Sequence, residues 1–480
     1  MSQDLNAPQA QTTSLVDPNV PADQGLSALG LLMQLAGSVY AGFGALFLFV
    51  LLTAAAAMGG RGEAGMMILI AAASVARSFV HRMAGTDLLY RRQTLDGVAN
   101  PLAGIKRYFL VSLGHTALVA LVMKSKMHVP GKVVLAISAG LMVWPAVLAV
   151  MTQLPRFKRF GGSELPVAED KGFEGASIFM IVFGACGTLA MGLVLYVFLD
   201  NVDSIMKQTV GLLLIASAVM LFIRSIFHFQ AGLAGIRETS VDRTVELTNR
   251  YANFAIIASF CTGGALLLTF MMGRPDPSAI AIVCAISWLL LAWPMVIRRF
   301  YSERQFGELM AGDGASLHRR APDAGLTGLG WLLLGLAAMQ ATSLLPQVIL
   351  GSSEGVGNKL AEMMYMFSPP GFRSVWWDVG MVALQAWAGF ELIRMSPHSR
   401  IIGSSFAVVA TALTLYVKWP MLKGIGKVGF GGLGRNPGAV MMFVQLAIAL
   451  VIPVTTLLLV NRKITPTATA RYKPSGAPQG

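Results

Sequence analysis

Arginine and histidine recur together at one spacing in this chain. The pairs are Arg77 and His81, Arg224 and His228, and Arg394 and His398, each an Arg-x-x-x-His near the end of a long apolar run. On a helix, residues i and i+4 are neighbours on one face, so each pair would present a guanidinium beside an imidazole. A guanidinium is always charged and carries five donors in a fork that suits a phosphate or another oxyanion. An imidazole beside it would adjust the charge with pH. The chemistry this predicts is binding of a small anion or of an anionic lipid headgroup. The plainer reading is that each Arg snorkels toward the headgroups and each His rests in the interface. Recurrence of both residues at the same spacing favours a site, although duplication of an ancestral unit would also preserve it. Three imidazoles converging on an axis would give a three-nitrogen metal centre. Pro397, just before His398, ends its helix early and takes the third His out of register, so no metal site is expected.

Other groups are weaker candidates. Glu391 lies three residues before Arg394. It is read as an ion-pair partner for that Arg or as a coupling carboxylate. His115 lies mid-span with no second His at a matching depth, so haem ligation is not expected and a satisfied polar core residue is. Gly424-Ile425-Gly426-Lys427-Val428-Gly429 matches G-x-G-x-x-G, but a dinucleotide fingerprint needs a strand before it and a helix after it. Here it is read as a loop between two spans. No nucleotide, zinc-protease or nucleophile-elbow motif appears, and the loops leave no room for a soluble catalytic domain. No cofactor is expected. An enzyme would need an acid or nucleophile within reach of the Arg groups, for which Glu391 is the only candidate.

The elements that must hold these residues are membrane spans. Hydrophobic residues make up 55% of the 480 and charged residues only 13%, about half the charged share of a soluble domain, roughly 25%. A run of about 20 apolar residues crosses a hydrocarbon core of about 30 Å as a helix. The runs do not alternate, which excludes a barrel. Twelve spans are predicted, over 27–57, 64–84, 104–123, 132–153, 173–199, 208–234, 250–273, 278–298, 325–350, 374–394, 401–417 and 438–461. The net charge of +13 sits between the runs. That is the pattern of orientation signals and contacts to anionic lipid rather than of nucleic-acid binding. Lys and Arg favour the loops that would share a side with both tails, which places both termini in the cytoplasm of a bacterial inner membrane. Cys186, Cys261 and Cys284 all fall inside apolar segments and read as packing residues.

An internal repeat is expected. Arg77 and Arg224 lie 147 residues apart, Trp144-Pro145 and Trp293-Pro294 lie 149 apart, and Arg107-Tyr108 and Arg250-Tyr251 lie 143 apart. Nearly one period in several markers is the signature of duplication. The fold class predicted is all-α: a polytopic helical membrane protein of three parallel four-span repeats, 26–160, 172–301 and 324–463, about a threefold pseudo-axis or in a line. The third is divergent, with an insertion at 351–373 that includes a short amphipathic segment, 358–367. The tails, 1–25 and 464–480, are expected to be disordered. About 13 residues precede Arg77 in its span, roughly 20 Å of helix, so the pair would lie in the cytoplasmic third of the membrane rather than at its centre. The expected function is binding or transport of a small or lipidic anion, with Arg77, Arg224 and Arg394 as the attracting charges. A non-transporting scaffold that holds anionic lipid or a protein partner is the alternative.

Overall fold

The computed structural model describes residues 25–57, 62–90, 93–94, 97–98, 101–126, 128–154, 157, 173–207, 210–236, 241–272, 277–302, 325–350, 375–428 and 437–461. The two tails, the insertion 351–373 and the segment 358–367 within it lie outside these residues. The architecture is all-helical. The long helices are α1 (Leu26–Ala57), α2 (Gly62–Tyr90), α3 (Pro101–Ser125) and α4 (Gly131–Gln153). Next come α5 (Phe173–Asp200), the single short turn α6 (Val202–Met206), α7 (Gly211–Ile236), α8 (Val241–Met272) and α9 (Pro277–Ser302). The last four are α10 (Leu326–Leu350), α11 (Val375–Arg394), α12 (Ser399–Val428) and α13 (Pro437–Val460). A two-residue ladder, β1 (Gln93–Thr94) with β2 (Gly97–Val98), closes the turn between α2 and α3.

Each of the twelve expected spans falls on one long helix. Ten of these helices are long and apolar enough to cross a membrane. α11 is not among the ten, and the described part of α13 qualifies only as a shorter apolar helix, Ala449–Val460. The protein is therefore a multi-pass helical membrane protein. Large apolar side chains such as Leu110, Leu121, Leu135, Phe260 and Leu458 face outward; on a membrane protein that face meets lipid tails.

Local sequence sets the helix starts. α3, α9 and α13 open on Pro101, Pro277 and Pro437, where a missing N–H leaves nothing unpaired. α1 and α10 are preceded by Gly25 and Gly325 with φ of 76° and 77°. This left-handed turn favours glycine, and the glycine carbonyls accept the N–H of Leu29 at 2.8 Å and of Leu329 at 3.1 Å. The turns are also crowded: a Cβ on Gly25 would come within 2.8 Å of Thr327 Oγ1, and one on Gly325 within 2.9 Å of Ile178 Cδ1.

Neighbouring helices pack through small residues, because lipid supplies no hydrophobic drive between them. α1 crosses α2 at Gly30 and Gly85, where a Cβ on Gly85 would lie 2.6 Å from the Gly30 carbonyl oxygen. α5 crosses α7 at Ser177 and Gly232, with 2.8 Å to the Ser177 oxygen. α10 crosses α11 at Gly330 and Gly389, with 2.7 Å to the Gly330 oxygen.

The helices form three sets: α1–α4; α5 with α7–α9; and α10–α13. Within each set, successive long helices pack in chain order. Between sets, α4 packs on α10, α13 on α5, and α9 on α1, while α1, α5 and α10 touch one another. The last helix of every set thus leans on the first helix of another, and the contacts close into a ring. At its centre Ala28, Gly175 and Gly328 meet: a Cβ on Gly175 would be 2.8 Å from that of Ala28, and one on Gly328 3.0 Å from the Gly175 Cα. The largest apolar core surrounds this point, drawing Leu31, Phe179 and Leu329 from the three first helices.

Candidate functional site: two embedded guanidiniums

Arg77 lies in α2 and reaches two other helices of its set. Its Nε donates to Ser112 Oγ on α3 at 3.1 Å, and Nη2 donates to the Leu141 carbonyl on α4 at 2.7 Å. Arg224 in α7 repeats this, with Nη1 to Ser259 Oγ at 3.3 Å and Nη2 to the Leu290 carbonyl at 2.8 Å. The carbonyls have a common origin. Pro145 and Pro294 lie inside α4 and α9, four residues after Leu141 and Leu290. Proline has no N–H, so the carbonyl one turn earlier loses its helical partner. The guanidinium replaces that missing donor from a neighbouring helix.

The histidines occupy the next turn. His81 and His228 are buried. His81 stacks on Tyr108 with ring centroids 4.3 Å apart, and His228 stacks on Tyr251 at the same 4.3 Å. Trp144 Nε1 donates to His81 Nε2 at 3.2 Å, and Trp293 Nε1 donates to His228 Nε2 at 2.7 Å. An indole N–H only donates, so both Nε2 atoms carry a lone pair. The Trp-Pro pair and the Arg-x-x-x-His pair are therefore one constellation: Pro frees a carbonyl for Arg, and the preceding Trp holds the His. Trp144 and Trp293, which mark the repeat in sequence, are hydrogen-bond donors in the structure. Tyr108 lies one turn before Ser112, whereas Tyr251 lies two turns before Ser259, which explains why the Tyr offset is 143 and the Ser offset 147. Both phenols still reach the imidazole because a whole turn preserves the face.

The first site has an extension. His115, read from sequence as a satisfied core residue, lies with Nδ1 3.5 Å from Arg77 Nη1 and Nε2 2.8 Å from Ser74 Oγ. Ser74 donates its own hydrogen to the Ile70 carbonyl at 2.8 Å, so His115 Nε2 must be the donor to Ser74. That leaves Nδ1 to accept from Arg77, and the order of donors runs from Arg77 through His115 and Ser74 to the backbone. At the matching offset of 147, the second site has Leu221 and Thr262 instead.

The third pair is built differently. α11 ends at Arg394, Met395 takes a positive φ of 48°, and His398 lies exposed in the turn before α12. The helical face that the motif assumes does not exist there, because the chain turns at Ser396-Pro397. Arg394 covers the ring of Phe390 at 5.1 Å. Glu391 accepts from Ser396 Oγ and from Trp387 Nε1, the latter at 3.4 Å. The crossing glycine shows which residues stand at the corresponding places. Four and eight residues before Gly85 are His81 and Arg77, before Gly232 they are His228 and Arg224, and before Gly389 they are Gln385 and Met381. Gln385 is buried and donates to the Leu333 carbonyl at 3.1 Å. The fingerprint-like stretch also differs from expectation: Gly424 to Val428 close α12 as helix.

No family model, no curated protein and no solved structure matches the chain. The fold and the site define its class as a polytopic helical membrane protein with two cationic centres inside its bundles.

Proposed function

We propose that this protein binds an anionic ligand at the Arg77 and Arg224 centres, the ligand being a small inorganic anion or the phosphate of a lipid. The carrying observation is charge balance. Every acceptor fixed on these guanidiniums is neutral, and among the described residues neither has a carboxylate within ion-pair distance. A positive charge within a membrane bundle calls for a counter-charge. Both side chains are only partly buried, and each retains N–H donors beyond those used. The two centres are held by separate sets, which supports binding at each rather than passage along one shared path. Arg394, His398 and Glu391 stand apart from both centres and are not part of this reading.

Duplication of a four-helix unit accounts for the twin centres, and the Ala28, Gly175 and Gly328 contact supports three such units about a pseudo-threefold axis. Excess Lys and Arg at the end where the first helices begin supports a cytoplasmic location for that end, in a bacterial inner membrane.

Trp144 and Trp293 sit one side chain away from the guanidiniums, so intrinsic fluorescence reads the sites. Titrating the purified protein with chloride, inorganic phosphate and phosphatidylglycerol should give a saturable change for at least one ligand. Arg77→Gln/Arg224→Gln should reduce that change at least tenfold in apparent affinity. Identical titrations of wild type and variant with all three would overturn the proposal. The scaffold reading rests on the staple itself, since each Arg joins three helices; it predicts lost stability in the variant with no ligand response in the wild type.

A further inference from the structure

A second polar feature lies on the outer face of the second set, between α8 and α9. An open groove of about 400 Å³ runs there. One part is apolar, lined by Ile256, Phe260, Leu291 and Met295; the other is lined by Arg298, Arg299 and Ser302. The helices are antiparallel, so Phe260 faces the Leu291 level, Ile256 faces the Met295 level, and the Arg pair closes the end at the α9 C-terminus. From Leu291 to Ser302 the groove spans eleven residues of helix, about 16 Å at a rise of about 1.5 Å. Its polarity runs apolar to cationic along the membrane normal, the same order as a lipid with an acidic head.

We propose that this groove is a specific site for one anionic glycerophospholipid, with its phosphate between Arg298 and Arg299 and an acyl chain laid over Met295, Ile256, Leu291 and Phe260. Charge complementarity selects the headgroup. Arg298 is exposed and has no carboxylate partner among the described residues, whereas nearby Arg250 is already paired with Glu246 at 2.6 Å. The Ser302 hydroxyl is turned to the Arg298 carbonyl at 2.7 Å, so the donor to phosphate is the Arg298 guanidinium, with Arg299 adding its charge beside it. The helical repeat does not require these cations: at the Trp-Pro offset of 149, the first set has Ala149 and Val150 where the second has Arg298 and Arg299. The groove is separate from the Arg77 and Arg224 centres, so either reading can fail without the other.

The test is native mass spectrometry of the whole protein released from nanodiscs containing equal amounts of phosphatidylglycerol and phosphatidylcholine with identical chains. One phosphatidylglycerol should be retained in preference to phosphatidylcholine by at least tenfold. Arg298→Gln/Arg299→Gln should abolish the preference. Met295→Trp, which fills the apolar part, should lower retention of both lipids while the guanidiniums remain. Inorganic phosphate at millimolar concentration should not displace the lipid, because it lacks a chain to occupy the groove. Equal retention of both lipids by wild type, an unchanged preference in the double Arg variant, or full displacement by free phosphate would each overturn the site. Circular dichroism and size-exclusion profiles matching wild type establish that the variants fold.

Discussion

At the scale of single residues, the most informative pair is one that sequence separates by 68 positions, Arg77 and Pro145. Proline in a membrane helix is read as a kink, and arginine as a snorkelling charge. Together they are donor and vacancy: the carbonyl that Pro145 leaves unbonded is the one Arg77 fills at 2.7 Å. The arrangement predicts non-additivity. Arg77→Ala should destabilise the fold by about 1–3 kcal/mol, because a part-buried carbonyl within the bundle is left without a donor. Pro145→Ala restores the N–H to that carbonyl, so in its presence Arg77→Ala should cost at least about 1 kcal/mol less. Thermal unfolding of the two single variants and the double variant in detergent measures the coupling. Strict additivity would show that the two residues do not serve the same oxygen. Trp293→Phe should remove the donor to His228 at a cost of about 1 kcal/mol, read in the same assay; Trp144→Phe should cost less, since its bond to His81 is longer, 3.2 Å against 2.7 Å.

At the scale of elements, the spans were legible because lipid demands long apolar runs, and all twelve predicted runs fall on helices. The first two Arg-x-x-x-His copies were legible as pairs because α2 and α7 stay helical through the motif. Their partners were not, because a carbonyl freed by proline carries no side-chain signature, and because Tyr251 is displaced by one turn from the register of Tyr108. The third copy misled for the opposite reason. Its residue types match, but Pro397 turns the chain, and the pattern falls on a helix end rather than on a face. The better marker was the crossing glycine with the alanine before it: Ala84-Gly85, Ala231-Gly232 and Ala388-Gly389. Two outcomes follow for the third set. Arg394→Ala/His398→Ala should shift the melting temperature by less than a third of the shift caused by Arg77→Ala, since both side chains are exposed. Gly389→Val should prevent recovery of monodisperse protein, because its Cβ would press on the Gly330 carbonyl and on the backbone of α10. A monodisperse Gly389→Val protein with wild-type stability would place the crossing elsewhere.

At the scale of the whole molecule, the question is whether three sets form a line or a ring. Sequence left both arrangements open, since the residues that meet at the centre, Ala28, Gly175 and Gly328, are small like many others in the spans. In a line, the first set would touch only the second. The structure instead packs α4 of the first set on α10 of the third, where Thr342 Oγ1, which donates to the Ala338 carbonyl at 2.9 Å, lies 3.3 Å from the Gly140 carbonyl oxygen, and a Cβ on Gly140 would lie 3.0 Å from the Thr342 carbonyl oxygen. On the other side, Trp288 of the second set donates to the Ser38 carbonyl of the first at 2.9 Å. Closure removes exposed ends from the array and gives every first helix a partner on each side. It also places the sets that hold Arg77 and Arg224 beside each other through the contact of α9 with α1. The contact can be tested covalently. Cys186, Cys261 and Cys284 are free thiols, so a background with all three replaced by Ser permits defined pairs. Gly140→Cys/Thr342→Cys should cross-link under mild oxidation in membranes, joining the first and third sets after the chain is cut by protease at an engineered site between residues 161 and 172. Leu121→Cys/Tyr416→Cys, whose side chains are exposed on helices that do not pack together, should remain unlinked. Equal yields from the two pairs would remove the evidence for a ring and, with it, the contact of the first set with the third.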